Sequence, residues 1–175
     1  MKNSRRNFIK KSAMAATGTY LGALGFSAKS YGNIIGANDR VRVGVVGYSD
    51  RFNGSLLPCF LNHYKEMNFD MVAVSDIWRL RREEASAKLK EKLGHEVKAC
   101  RNNDELYATK DIDAVIISTA DFQHALHTIE AVKAGCDTYT EKPFAETMED
   151  NRAALKAVKE SNKIVQIGSQ RRSGS

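Results

Sequence analysis

Short apolar runs alternate with longer amphipathic segments after residue 40, and this alternation restricts the possible folds more than any other feature. The clearest strand is the apolar, mostly β-branched run at 114–117, typical of a strand buried on both faces of a sheet. The segment after it repeats apolar residues at helical spacing, which predicts a helix with one apolar stripe. The stripe consists of Phe122, Ala125, Leu126, Ile129 and Val132. Strand–helix alternation predicts an α/β fold with a parallel, doubly wound sheet and right-handed crossovers.

The same periodicity predicts the order and approximate bounds of the elements. We expect strands at about 41–47, 70–75, 96–100, 113–118, 137–141 and 163–168, and helices at about 54–66, 78–93, 103–109, 122–135 and 147–161. Six strands are what a Rossmann-type dinucleotide-binding sheet needs. We therefore expect a linker at 31–40, a dinucleotide-binding domain at 41–172 and a tail at 173–175. No residues remain for a second α/β substrate domain, which we expect to be absent.

The distribution of charge argues against a nucleic-acid partner. The formal net charge is +6, but residues 1–30 contain six basic residues and no acidic one. The rest of the chain then carries 21 basic and 21 acidic residues. Because the body is formally neutral, it has no excess of positive charge to follow a phosphate backbone.

The N-terminal residues form a candidate targeting segment. Arg5 and Arg6 precede Phe8 and Ile9, and a weakly apolar stretch follows at 13–28. This pattern resembles a twin-arginine export signal at 1–30, which implies a periplasmic or other extracytoplasmic location. The stretch is too short and too rich in Gly, Ser and Thr for a transmembrane helix, so we expect no membrane contact beyond the signal. The alternative is an ordinary basic amphipathic helix.

A strand, a turn and a helix start follow one another across 41–52, an arrangement in which backbone N–H groups can face a pyrophosphate. In the pattern Gly-x-Gly-x-x-Gly, Gly47 fits the first position, Ser49 stands at the second and Phe52 at the third. With one glycine of three, the motif alone does not separate a dinucleotide site from an ordinary strand–helix turn. The candidate cofactor contacts from this loop are Gly47, Tyr48, Ser49, Arg51 and Phe52.

Asp76 ends the second predicted strand. A carboxylate there can accept hydrogen bonds from an adenosine ribose and repels a 2′-phosphate, which favours NAD over NADP. Two alternatives stay open. One of Arg79, Arg81 and Arg82 could serve a 2′-phosphate instead, or Asp76 could merely cap the following helix.

Cysteine and histidine spacing predicts neither a disulfide framework nor a metal site. The three cysteines, Cys59, Cys100 and Cys136, form no Cys-x-x-Cys pair, and we expect all three to pack as small apolar residues. His124 and His127 are one helical turn apart but have no third ligand nearby in the sequence.

The second half of the chain carries more specific motifs. They are Ser118-Thr119-Ala120-Asp121-Phe122-Gln123-His124, then Ala134-Gly135-Cys136-Asp137, Glu141-Lys142-Pro143, and the closing Val165-Gln166-Ile167-Gly168-Ser169-Gln170-Arg171-Arg172. Their order and spacing over 41–172 resemble the nucleotide-binding half of Gfo/Idh/MocA-type oxidoreductases. One departure is Ala120, where that family usually has proline.

The resemblance implies roles for individual residues. Lys142 would lie beside the nicotinamide and substrate and act as the catalytic residue, polarising a hydroxyl or carbonyl. Glu141 and Pro143 would hold its backbone, and the Lys-Pro peptide is often cis in relatives. Ser118, Thr119 and His124 would line the cofactor channel, and Gln170 and Arg171 would complete the contacts. The cofactor implied is NAD, with NADP possible, and no metal is expected.

The function implied is the NAD(P)-binding portion of an exported oxidoreductase that acts on a sugar or polyol. Because the family usually completes its active site from a C-terminal domain, we expect this chain to be inactive alone, with sugar-like molecules as partners only when that domain is supplied. Two alternatives stay open: a non-catalytic nucleotide- or partner-binding module, and part of an NAD-dependent glycosidase.

Overall fold

The computed structural model describes residues 40–109 and 111–170. The predicted export signal, most of the predicted linker and Arg171 lie outside the described residues. Within the described part, no helix is long and apolar enough to span a bilayer.

One six-stranded parallel sheet organises the domain, which confirms the predicted fold class. The strands lie in the order β3-β2-β1-β4-β5-β6, and β1 pairs with both β2 and β4 at the centre. Each predicted strand is present, with its ends shifted by two residues or fewer. The bounds are β1 Val41–Val46, β2 Phe69–Ser75, β3 Lys98–Cys100, β4 Ala114–Ile117, β5 Asp137–Glu141 and β6 Val165–Gly168.

Each predicted helix is also present, but the first one begins earlier than expected. It opens with a π-helical stretch, Phe52–Leu56, before the α-helix α1, Leu57–His63. The other helices are α2 Arg79–Leu93, α3 Asn103–Tyr107, α4 His124–Lys133 and α5 Met148–Ser161. Side-chain caps from Asn102 and Thr147 accept the backbone N–H groups of Glu105 and Asp150, which starts α3 and α5 where the sequence predicts.

The helix after β4 buries only part of the predicted stripe, namely Ala125 and Val132. Phe122 and Leu126 are 65% and 54% exposed. Phe122 belongs to a 3₁₀ turn, Asp121–Gln123, that precedes α4, so the spacing of an α-helix does not apply to it. The buried residues of α4 are His124, Ala125, Thr128, Ala131 and Val132. The packed face is therefore lined by small and polar side chains, which apolar periodicity does not detect.

The central strand β4 is buried on one face only, which corrects the expectation of burial on both. Val115 and Ile117 are fully buried, whereas Ala114 and Ile116 on the opposite face are partly exposed. On that face an apolar groove of about 350 Å³ runs along β1, β4 and β5. Cys59 lines this groove and is exposed, so only Cys100 and Cys136 pack in the interior as expected.

Candidate functional site

The loop after β1 packs directly against the loop after β4. Gly47 has a φ of +87°, and a Cβ there would lie 2.7 Å from Thr119 Cγ2 and 3.1 Å from the Thr119 backbone. The Gly47 N–H donates to the Ser75 carbonyl over 2.8 Å, and the Ser118 hydroxyl donates to the Gly47 carbonyl over 2.8 Å. Only glycine combines this conformation with so close an approach, so Gly47 joins the carboxyl ends of β1, β2 and β4.

The two bulky residues of the glycine loop lie behind the loop. Tyr48 and Phe52 are both fully buried and their rings pack 5.5 Å apart. Burial, with a smaller contribution from Glu84, raises the pKa of Tyr48 to about 12. The structure therefore assigns these side chains to supporting the loop, not to contact with a ligand as the sequence predicted. Ser49 lines the cleft, and its hydroxyl accepts from the Phe52 N–H over 3.1 Å.

Asp76 connects the second strand to the glycine loop. One carboxylate oxygen accepts from the Tyr48 N–H over 2.9 Å, and the other accepts from the Trp78 N–H over 2.8 Å. The second bond shapes the turn before α2, so Asp76 does have a local structural role at the start of that helix. Each carboxylate oxygen keeps a further lone pair, and Asp76 lines the cleft, so the ribose role is compatible with both bonds.

The three arginines after Asp76 are engaged within the protein. Arg79 pairs with Glu83, and Arg81 pairs with Asp50 over 2.6 Å. Arg82 donates to the backbone carbonyl of Asp76 over 2.7 Å. A 2′-phosphate would have to share a guanidinium group with its present partner.

His124 ties the loop after β4 to the loop after β5. It is buried, with Nδ1 2.7 Å from the Pro143 carbonyl oxygen and Nε2 3.2 Å from the Thr119 carbonyl oxygen. The peptide bond that precedes Pro143, between Lys142 and Pro143, is cis. Both ring nitrogens face backbone oxygens, so His124 positions the two loops that border the cleft.

Glu141 is a buried, fully engaged anchor at the end of β5. Its Oε1 accepts from Arg51 Nε and Nη2, each over 3.0 Å. Its Oε2 accepts from Gln170 Nε2 over 3.0 Å and from the Lys142 N–H over 3.3 Å. A buried carboxylate is tolerated when it is paired in this way, and the pairing holds the Lys142 backbone. The Lys142 side chain itself is exposed and has no hydrogen-bond or ion-pair partner within 40–109 and 111–170.

Two adjacent clefts open at the carboxyl edge of the sheet, and Ser118 and Thr119 line both. The main cleft, of about 530 Å³, includes Gly47, Ser49 and Asp76. The smaller cleft, of about 240 Å³, is lined by Arg51, Ser118, Thr119, Asp121, His124, Glu141, Lys142 and Gln170. The structure thus brings most predicted site residues together where β1 and β4 diverge, the usual position of a dinucleotide in such sheets.

The far wall of the main cleft comes from residues that sequence reasoning did not assign to it. Asn103 accepts from the Ser75 hydroxyl and its amide nitrogen lies 2.8 Å from both His127 Nδ1 and Glu130 Oε2. His127 therefore faces α3 while His124 faces Pro143, so the two histidines do not converge. No group of three metal-ligating side chains occurs within the described part of the chain. The position of Asn103, just after β3, is the signal that could have indicated it.

An unpartnered hydroxyl lies where the clefts meet. Thr119 Oγ1 is buried and has no hydrogen-bond partner among the described residues. A buried polar atom without a partner is costly, and a bound ligand can supply the missing bond. Together with the glycine-dependent loop and a main cleft of suitable size, this atom fits an extended polar ligand such as a dinucleotide.

Comparison with known proteins agrees with this geometry. Residues 41–169 match the model of the Gfo/Idh/MocA family, described as an oxidoreductase family with an NAD-binding Rossmann fold. Inositol 2-dehydrogenase from Agrobacterium fabrum is 30% identical over 139 residues, which cover 75% of this chain and 38% of that protein.

Solved structures give the same result. The WlbA dehydrogenase of Chromobacterium violaceum, in complex with NADH and UDP-GlcNAcA, superposes with a TM-score of 0.67 at 25% identity, over 77% of this chain and 36% of that one. The myo-inositol 2-dehydrogenase of Lactobacillus plantarum gives a TM-score of 0.63 at 26% identity, over 78% of this chain and 38% of that one. The chain therefore spans little more than a third of the length of these relatives.

Replacement of Gly47 by alanine is expected to destabilise the domain. A non-glycine residue in the left-handed region costs about 1–3 kcal/mol, and the added Cβ must also displace Thr119. Thermal unfolding of Gly47→Ala should show a clearly lower midpoint than the parent. Gly54→Ala is the matched control, because nothing lies within 4 Å of its Cβ position and alanine favours a helix. Equal unfolding midpoints for the two variants would show that the loop contact is unimportant.

Proposed function

Because this chain belongs to the Gfo/Idh/MocA family of oxidoreductases, we propose that it is the NAD-binding portion of an exported dehydrogenase that acts on a sugar or polyol. The observation that carries the proposal is the convergence, at one edge of the sheet, of the Gly47 loop, Asp76 and Lys142 on two adjoining clefts. The names of the relatives, which include inositol 2-dehydrogenases and a 1,5-anhydro-D-fructose reductase, support a substrate rich in hydroxyl groups.

In this proposal the main cleft holds the adenosine and pyrophosphate. The turn at Gly47 brings backbone and the start of the following helix close to the phosphates, and Ser49 lies beside them. Asp76 accepts hydrogen bonds from the ribose. The Thr119 hydroxyl, which has no partner among the described residues, donates where the two clefts join. NAD, when bound, supplies the acceptor for a hydride taken from the substrate.

The preference expected from Asp76 and its neighbours is for NAD over NADP. A 2′-phosphate would place negative charge beside the Asp76 carboxylate. The nearby guanidinium groups that could compensate are already engaged with Glu83, Asp50 and the Asp76 carbonyl. The balance of charge therefore favours the unphosphorylated ribose.

Lys142 is proposed as the residue that acts on the reacting oxygen. Glu141 and the His124 contact hold the backbone on either side of it, while its ammonium group has no partner within 40–109 and 111–170. A lysine placed in this way donates a hydrogen bond to a substrate hydroxyl or carbonyl and helps to move its proton.

The remaining walls of the substrate site are proposed to come from a further domain, as in the longer relatives. A lysine and a cofactor without a substrate wall do not orient a carbon for hydride transfer. We therefore expect the 175-residue chain, mixed with NAD⁺ and myo-inositol, to produce no detectable NADH fluorescence. NADH production by the 175-residue chain would contradict this expectation. If that production were lost in the variant Lys142→Met, the proposed role of Lys142 would still be supported.

Cofactor preference gives the main test of the proposal. Calorimetric titration of the full chain is expected to show NAD⁺ binding at least about tenfold more tightly than NADP⁺, equivalent to about 1.4 kcal/mol. Asp76→Asn should weaken the binding of NAD⁺. It should also narrow the difference in affinity between NAD⁺ and NADP⁺, because the substitution removes the charge that repels a 2′-phosphate. Thermal unfolding of the variant separates this effect from loss of the loop contacts. A folded parent that binds neither dinucleotide would favour a non-catalytic module that binds other partners.

Export by the twin-arginine route is a separate part of the proposal. It rests on Arg5, Arg6 and the weakly apolar stretch after them. The double variant Arg5→Lys and Arg6→Lys should keep the chain in the cytoplasm of a bacterium that has this transport system, as followed by immunoblotting of cell fractions. The double variant Lys10→Arg and Lys11→Arg is the control, because it exchanges the same two residue types outside the arginine pair and leaves the net charge unchanged. Continued export of the arginine variant would exclude this route.

A further inference from the structure

The polar side chains that line the smaller cleft fall into two sets: those that make hydrogen bonds within the fold and those that do not. Arg51 and Gln170 are bound to Glu141, and the Ser118 hydroxyl is bound to the Gly47 carbonyl. Both nitrogens of His124 lie on backbone carbonyl oxygens. Each of these side chains therefore makes at least one hydrogen bond that holds the fold, while the Arg51 side chain, 41% exposed, keeps its Nη1 donors free of any partner among the described residues.

Three other polar side chains of this cleft differ from these. They are the Thr119 hydroxyl, the Asp121 carboxylate and the Lys142 ammonium group. None of them has a side-chain hydrogen-bond or ion-pair partner within 40–109 and 111–170. The cleft therefore offers a carboxylate acceptor and an ammonium donor that form no salt bridge with each other.

Asp121 is held in place by the backbone around it. It begins the 3₁₀ turn Asp121–Gln123, in which the Gln123 N–H donates to the Ala120 carbonyl over 2.9 Å. The His124 N–H donates to the Asp121 carbonyl, and His124 is in turn fixed between two loops. The backbone that carries the carboxylate is therefore fixed before any ligand arrives, so that only the side chain has to be ordered on binding.

We propose that Asp121 is a further binding residue that accepts hydrogen bonds from two adjacent hydroxyl groups of a neutral diol. The inference rests on the proposed function and adds a residue to it. An ionised carboxylate only accepts hydrogen bonds and has two oxygens, while a lysine only donates. A diol hydroxyl does both, so it matches Asp121 and Lys142 together.

The diol could come from either of two sources, the nicotinamide ribose of NAD or a polyol substrate. The test uses the full chain and its Asp121→Asn variant, titrated with NAD⁺ and with ADP, which lacks the nicotinamide ribose. Because the variant loses a hydrogen bond to a charged group, its NAD⁺ affinity should fall about tenfold or more while its ADP affinity stays unchanged. This result would assign the diol to the ribose.

A second experiment uses saturation-transfer NMR to measure the binding of myo-inositol to the NAD⁺-loaded chain. Unchanged NAD⁺ affinity with loss of the inositol signal in Asp121→Asn would assign the diol to the substrate. Glu96→Gln is the charge-matched control, because Glu96 precedes β3 at the opposite edge of the sheet. If Asp121→Asn and Glu96→Gln have the same NAD⁺ affinity and the same inositol signal while the parent binds NAD⁺, the inference about Asp121 is overturned and the proposed function stands. A parent that binds neither NAD⁺ nor ADP overturns both.

Discussion

The close approach of Gly47 to Thr119 is the constraint on which the rest of the site depends. The two residues follow β1 and β4, the neighbouring strands at the centre of the sheet. Their contact leaves no room for a side chain at Gly47, and the Ser118 hydroxyl closes it with a bond to the Gly47 carbonyl. The main cleft and the smaller cleft meet at this point, so the geometry of each depends on the same pair of loops.

Buried polar groups set the positions of the loops around the clefts. Glu141 with Arg51, and His124 with two backbone carbonyls, hold the segments after β4 and β5. Unpaired burial of these groups would cost free energy, so each is stable only in the arrangement observed. The exposed Lys142 and Asp121 are the charged residues of the smaller cleft that have no partner among the described residues. Structural and ligand-binding roles are thus divided between neighbouring residues of the same motifs.

Several sequence-based interpretations changed because local patterns do not report tertiary surroundings. Phe52 stands where the nucleotide-binding pattern has glycine, yet it fills the core against Tyr48 behind the loop. Phe122 and Leu126 fit a helical stripe but lie outside the packed face of α4, which keeps Ala125 and Val132 from that stripe and adds Thr128. His127 joins the cleft through Asn103, a neighbour in space that is remote in sequence.

The sequence by itself determined the order of strands and helices, the parallel sheet, and the residues that stand at the carboxyl ends of the strands. These follow from the period of the apolar residues and from motifs read along the chain, so Gly47, Asp76 and Lys142 could be chosen as site residues in advance. Only the tertiary structure decided which polar side chains are occupied by the protein and which remain available. That distinction depends on distances between residues far apart in the chain, such as Arg51 to Glu141 and Gly47 to Thr119, and no local pattern contains those distances.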